Sequence, residues 1–162
     1  MKLLILGGTE FVGRAVTEAA LARDWQVTVF HRGQHPAPPG VEVRHGDRSA
    51  PDGLAALADG EWDAVVDTWS GAPSAVRDSA RLLADRAGHY GYISSRSVYG
   101  FPMPAGSDEQ SAVVAGSPED TDSEDYPRTK RGGELAAVAA FGKRALLHRA
   151  GLILGPYVNI GR

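Results

Sequence analysis

At 162 residues, with 43% hydrophobic and 23% charged residues and a net charge of −3, the chain has the makeup of one ordinary globular domain. The acidic balance offers no attraction to nucleic acid or an anionic membrane surface. The absence of cysteine excludes disulfides, thiolate metal sites and thiol nucleophiles together. No apolar run approaches the roughly 20 residues of a membrane span. Met1 to Leu6 is too short an apolar run for a secretory signal, and no small-residue cleavage site follows it. A cytoplasmic location is the expectation.

Leu3 to Leu6 is an uninterrupted apolar stretch, which predicts a central parallel strand buried on both faces. Gly7 and Gly8 break it, and Phe11 to Ala22 carries helical spacing at Val12, Val16, Ala19 and Ala20. A glycine turn that opens a helix gathers free backbone N–H groups and the positive end of the helix dipole at one point, which suits a pyrophosphate. The candidate anchors are therefore Gly7, Gly8, Thr9, Glu10, Phe11, Val12 and Gly13. The dinucleotide fingerprint has a further glycine in the middle of such a turn, where the cofactor comes close. Glu10 stands there instead. Facing the pyrophosphate, its carboxylate would oppose the charge that the helix end attracts; turned to solvent, it would forfeit only the close approach.

Strand and helix signals then alternate. Trp25 to Phe30 reads as a second strand and Val41 to Arg44 as a third, after the proline-rich loop from Pro36 to Gly40. A short helix is expected over Leu54 to Ala58, a fourth strand over Asp63 to Asp67, and a longer helix over Ser74 to Ala87. Tyr90 to Ser94 is a fifth strand, about Arg128 to Phe141 a helix, and Ala145 to His148 a sixth strand. This alternation predicts an α/β fold: a doubly wound parallel sheet, three layers deep, with helices on both faces. Its expected order is 3-2-1-4-5-6, a Rossmann fold with the ligand across the carboxyl edge of the strands. Between Phe101 and Asp125 lie seven carboxylates and no Lys or Arg. A loop this long in a compact domain is commonly functional or mobile, and here it is expected to overhang the mouth of the site. The five histidines are scattered without metal-ligand spacing, so no metal site is assigned.

Strand five runs into Ile93-Ser-Ser-Arg-Ser-Val-Tyr-Gly100, and Tyr126-Pro-Arg-Thr-Lys130 follows later. With Gly7-Gly-Thr-Glu-Phe-Val-Gly13, these segments resemble the short-chain dehydrogenase/reductase superfamily. They are most similar to its extended or atypical branch, the NAD(P)-dependent epimerase/dehydratase-like proteins, and the resemblance runs from Met1 to Arg162. Residues four apart share a helix face, so Tyr126 and Lys130 would point the same way. A phenol titrates near pH 10, and lowering that by about 3 units needs roughly 4 kcal/mol of phenolate stabilisation, which a nearby ammonium helps to supply. The resemblance implies an oxidoreductase, a reductase or an epimerase/dehydratase, acting on a small-molecule substrate by hydride transfer at nicotinamide. Tyr126 would be its proton-exchanging acid/base, Lys130 would also hold the nicotinamide ribose, and Ser95 would orient the substrate, with Ser94 and Ser97 as alternatives. The asparagine that relatives carry before strand five has no counterpart between Gly71 and Gly88.

Strand two ends in Phe30-His-Arg-Gly33, with His35 nearby and no carboxylate before Glu42. Arg32 suits a 2′-phosphate, so NADP is expected over NAD, with His31 beside it. By resemblance Asp47 would contact the adenine, with Arg48 next to it, while Thr68 and Trp69 at the end of strand four would flank the cofactor. In relatives the chain continues into a substrate lobe; here it ends at Arg162. The expectation is therefore one cofactor domain over residues 1–162 without that lobe. The apolar edge so exposed would favour a homo-oligomer. A second reading is a non-catalytic dinucleotide-binding module, a redox sensor or scaffold, which Glu10 and the missing asparagine favour and the Tyr126/Lys130 pair opposes.

Overall fold

Each strand signal becomes a strand of one parallel sheet: β1 (Lys2–Leu6), β2 (Gln26–His31), β3 (Glu42–His45), β4 (Trp62–Asp67), β5 (Ala87–Ser95) and β6 (Ala145–Ala150). Their spatial order is β3-β2-β1-β4-β5-β6, as the alternation predicts. The structure, a computed structural model, describes residues 1–156; the end of the chain at Arg162, to which the family resemblance extends, lies outside the described residues.

Three helices cover the sheet: α1 (Phe11–Leu21), α2 (Pro73–Leu83) and α3 (Tyr126–Phe141). The central strand shows why the sheet needs both layers. Leu4 and Leu6 point toward α2 and α3 and pack with Val76, Ala80, Leu83, Ala136, Ala137 and Phe141. Leu3 and Ile5, on the opposite face, pack with Val27, Val29 and Ala20 beneath α1. All four are at most 3% exposed, and burying each stabilises the fold by about 1.5–3 kcal/mol before chain entropy is counted. Beyond β4 the α1 side of the sheet is open: Leu146 and His148 of the edge strand are exposed.

Several element ends differ from the sequence pattern. The helix expected to run to Ala87 stops at Leu83, because Ala87 already pairs with Trp62 as the first residue of β5. Its alanines and leucines satisfy a helical pattern, but the chain must turn there to enter the sheet. The helix expected over Leu54 to Ala58 is a single 3-10 turn, Ala55–Leu57, that drops Leu57 fully into the core. The last helix starts earlier than its periodicity suggests, at Tyr126. Asp125 accepts a hydrogen bond from the Arg128 N–H (3.1 Å), and Pro127 occupies the first turn, where its missing donor costs little.

The acidic stretch does not overhang the site. It is pinned against the outer helices: the Ser74 N–H donates to the Asp120 carbonyl, Tyr99 bridges Val113, and Glu119 pairs with Arg77 and Arg81 of α2. The arginines of α2 hold Glu119, and Arg149 of β6 donates to the Glu109 carbonyl at 3.3 Å.

Two close approaches set the site's geometry. A Cβ on Gly133 would lie 2.4 Å from the Tyr92 hydroxyl, so only glycine lets α3 come this near to β5. A Cβ on Gly13 would lie 2.0 Å from the Gly7 carbonyl oxygen, so α1 seats on the turn that precedes it only with glycine. Gly13→Ala is accordingly expected to lower stability by about 1–3 kcal/mol, read as a fall in the urea midpoint at constant slope. An unchanged midpoint would show that the turn is not packed this tightly.

Candidate functional site

A cleft of about 440 Å³ opens at the carboxyl ends of the strands. From the glycine turn it is lined by Gly7, Thr9, Glu10, Phe11, Val12 and Gly13. From the end of β2 come His31 and Arg32, from the end of β4 Thr68 and Trp69, and from β5 and α3 Ser95, Tyr126 and Lys130. Residues far apart in sequence thus meet in one concavity.

Other candidates stand elsewhere or are already engaged. Gly8 lies behind the cleft, where a Cβ would strike Thr17 Oγ1 at 2.8 Å and both Val29 methyls at 2.9 Å; it serves the packing of α1 on β2. Asp47, expected at the adenine, is absent from the lining and accepts from the Ser49 N–H instead (2.9 Å), closing its own turn. Arg48 reaches the lining, but its charge is committed to Asp67. Nη1 and Nη2 donate to the two carboxylate oxygens at 2.6 and 2.8 Å, Nε to Ser79 Oγ at 2.9 Å, and Nη2 also to the Ala75 carbonyl at 3.1 Å. No residue between 101 and 125 lines the cleft.

The carboxylate of Asp67 also accepts from the Tyr90 hydroxyl (2.5 Å) and the Trp69 N–H (2.9 Å). Burial alone would raise this carboxyl, but the charge and hydrogen bonds of Arg48, with those of Tyr90 and Trp69, overcome it and hold the group below the usual carboxylate range. The turn after β4 is thereby fixed, and its Trp69 carbonyl faces α3. Lys130 Nζ donates to that carbonyl at 2.7 Å, as does the Tyr92 hydroxyl at 3.2 Å, and the ammonium lies 4.5 Å from the centre of the Tyr92 ring. Burial pushes Lys130 down to about 8, against the upward pull of Asp67 and Glu134. Tyr126, one turn earlier on the same helix face, is half exposed at 46%.

Ser94 and Ser95 divide their work. Both line the cleft, but the Ser94 hydroxyl donates to Glu134 Oε1 (2.7 Å), whereas Ser95 Oγ donates to Ser97 Oγ (3.1 Å) and accepts from the Ser97 N–H at 3.2 Å. Glu134, fully buried, also accepts from Arg131 and twice from Arg149. Burial would raise its carboxyl, but bonds from Arg149, Ser94 and Arg131 hold it low. It sits four residues after Lys130 and locks α3 to the ends of β5 and β6. Neither Asp67 nor Glu134 is singled out by the sequence reading. Their signals were a carboxylate closing an apolar strand and a third member of the 126, 130, 134 series.

At the other end of the cleft, the His31 Nδ1 accepts from the Gly33 N–H (3.1 Å), which places the ring proton on Nε2. Burial, then the neighbouring His45 and His35, lower the pKa of His31 and keep it neutral. Nε2 is buried without a hydrogen-bond partner among the described residues. Arg32 is exposed and forms no ion pair or hydrogen bond among those residues.

The model of the NAD dependent epimerase/dehydratase family matches residues 3–161. The chain belongs to that family. Its fold recurs in a UDP-galactose 4-epimerase (TM-score 0.75, 18% identity), where it covers 98% of this chain and 58% of that one. A UDP-glucuronic acid 4-epimerase from Bacillus cereus in complex with NAD matches over 100% of this chain and 60% of its own (TM-score 0.75, 19% identity). A dTDP-glucose 4,6-dehydratase from Bacillus anthracis str. Ames in complex with NAD matches over 100% and 58% (TM-score 0.71, 16% identity). The chain thus spans somewhat under two thirds of the length of these structures. No curated protein matches its sequence. Family membership places the chain in the extended branch of the short-chain dehydrogenase/reductase superfamily, as its motifs imply.

Within this family domain the Arg48–Asp67 pair is the element most exposed to mutation. Asp67→Asn leaves a buried guanidinium without its counter-charge and should cost about 3–5 kcal/mol, measured by urea denaturation at pH 7. The contribution of Asp67 is fully present above its unfolded value near pH ~4 and lost as pH falls through the lower folded value. The variant's acid-side stability profile should therefore be flatter. Equal stability of the two proteins at pH 7 would contradict this role.

Proposed function

We propose that this chain is the cofactor-binding and proton-exchanging part of an NAD(P)-dependent oxidoreductase or epimerase-like enzyme. The observation that carries the reading is that one cleft gathers the glycine turn, Ser95, Tyr126 and Lys130. The chain fits a dinucleotide in two respects: the turn that opens the cleft is closed up at its two ends, where a Cβ on Gly7 would strike Thr68 Oγ1 and one on Gly13 the Gly7 carbonyl, and His31 Nε2 is a buried donor with no partner among the described residues. When bound, the nicotinamide ring supplies a hydride acceptor or donor.

The rest is the work of side chains. Tyr126 exchanges the proton of the substrate hydroxyl or carbonyl from its half-exposed position at the head of α3. Lys130, its ammonium held by the Trp69 carbonyl, supplies positive charge on the same helix face, which favours the phenolate. It would also hold the nicotinamide ribose. Ser95 offers a hydroxyl to the substrate oxygen. At the far end Arg32, unpaired among the described residues, receives a 2′-phosphate, and β2 carries no carboxylate to claim the ribose hydroxyls. We therefore read the cofactor as NADP in preference to NAD.

Two experiments test this. Arg32→Ala should weaken NADPH binding about tenfold to a hundredfold while leaving NADH nearly unchanged, as loss of charge-assisted hydrogen bonds requires. Tryptophan fluorescence reads both titrations, since Trp69 lines the cleft. Equal losses for both cofactors would remove the NADP assignment. For the chemistry, a panel of nucleotide-linked sugars, the class named for the similar structures, is incubated with the chain and oxidised cofactor, and nicotinamide reduction is followed. Tyr126→Phe should slow it by about 100-fold or more with cofactor affinity retained. A variant as fast as the parent would dismiss Tyr126 as the acid/base; binding without turnover of any sugar would favour the non-catalytic module.

A further inference from the structure

Glu10, the residue that departs from the glycine fingerprint, does not cap the helix end, and its exposed side chain lies beside His35. Its backbone is extended (φ −131°, ψ 156°) and its side chain makes no capping bond. The next residue, Phe11, has a positive φ (35°), an unfavourable conformation for a bulky side chain. The Glu10 carboxylate leaves the turn sideways and crosses to the loop after β2, where Oε1 lies 3.5 Å from His35 Nε2.

That crossing spans one end of the cleft. Both residues line it together with His31, Arg32 and Gln34, and Glu10 is the one carboxylate in the lining. The positive charge of Arg48 is committed to Asp67, and His31 is held neutral. The polar side chains left exposed at this end are therefore Arg32, Gln34, His35 and Glu10. Both members of the Glu10–His35 pair are more than half exposed, at 69% and 52%, so the pair is weak and readily exchanged.

We propose that Glu10 is a displaceable counter-ion of the 2′ subsite and sets the discrimination between the two dinucleotides. A 2′-phosphate, carrying close to two negative charges, competes with Glu10 for His35 and is repelled by the carboxylate it displaces. A bare ribose leaves the Glu10–His35 contact in place and offers hydroxyl donors to Glu10. In NAD sites this acceptor role belongs to an acidic residue at the end of β2, and β2 here has none. The same carboxylate thus acts against one cofactor and not against the other. The inference rests on the cleft being a dinucleotide site, as proposed above.

The test is titration of the whole chain with NADPH and with NADH, for the parent, Glu10→Gln, His35→Ala and the double variant, at low and at high salt. Glu10→Gln should move the ratio of the two dissociation constants toward NADPH by about fivefold at low salt. The shift should shrink at high salt, and by at least half when His35 is also replaced. Both side chains are exposed, and a thermal melt checks that each variant folds. Binding with the ratio unchanged within about twofold, or a shift undiminished without His35, overturns this inference while leaving the dinucleotide site standing. Failure of all four proteins to bind either dinucleotide overturns both.

Discussion

A guanidinium and a carboxylate both removed from water are tolerable in a protein only when each donor and acceptor is met. Arg48 and Asp67, with side chains 5% and 0% exposed, satisfy that condition by drawing in four groups from three other parts of the chain. Ser79 and the Ala75 carbonyl come from α2, Tyr90 from β5, and the Trp69 N–H from the turn after β4. One pair of charges thus joins α2, β5 and the turn after β4. The Trp69 ring, 5.0 Å beneath the Arg48 guanidinium, is clamped by the same arrangement.

From that pair the site follows in order. Asp67 fixes the turn after β4, the turn presents the Trp69 carbonyl, and this carbonyl holds the Lys130 ammonium. Glu134 does the complementary work from the other side, tying α3 to Ser94 and Arg149. Lys130 and Tyr126 are thus positioned by two buried carboxylates that touch neither of them. Burial of Lys130 loosens its proton and would be costly without this support. In the proposed role, groups set on so rigid a frame would need little reorganisation when a ligand arrives.

Most of the architecture was legible in the sequence because it depends on local patterns. The alternation of Leu3, Leu4, Ile5 and Leu6 between two faces, the glycine turn, and the step of four from Tyr126 to Lys130 are all short-range signals. The site's supports were not legible, since they depend on pairings across the sheet. Arg48 and Asp67 lie 19 residues apart across a crossover, a distance that carries no periodic signal. Motif position alone favoured Asp47 over its neighbour Arg48, but the chain turns at that point and directs the arginine inward and the aspartate to its own turn. The acidic stretch was expected at the mouth of the site because a loop so long is commonly functional or mobile; the partners of its Glu119, Arg77 and Arg81, lie on the outer helix instead.

The central claim is that a buried ionic frame builds one cleft in which the glycine turn, Arg32 and the Tyr126/Lys130 pair address a single dinucleotide. A crystal structure of the chain grown with NADPH tests it most directly. The account predicts the pyrophosphate on the N–H groups between Thr9 and Gly13, the 2′-phosphate beside Arg32, the nicotinamide ribose at Lys130, and Arg48 still paired with Asp67. A dinucleotide bound outside this cleft, reversed within it, or seated by a rupture of the Arg48–Asp67 pair would contradict it.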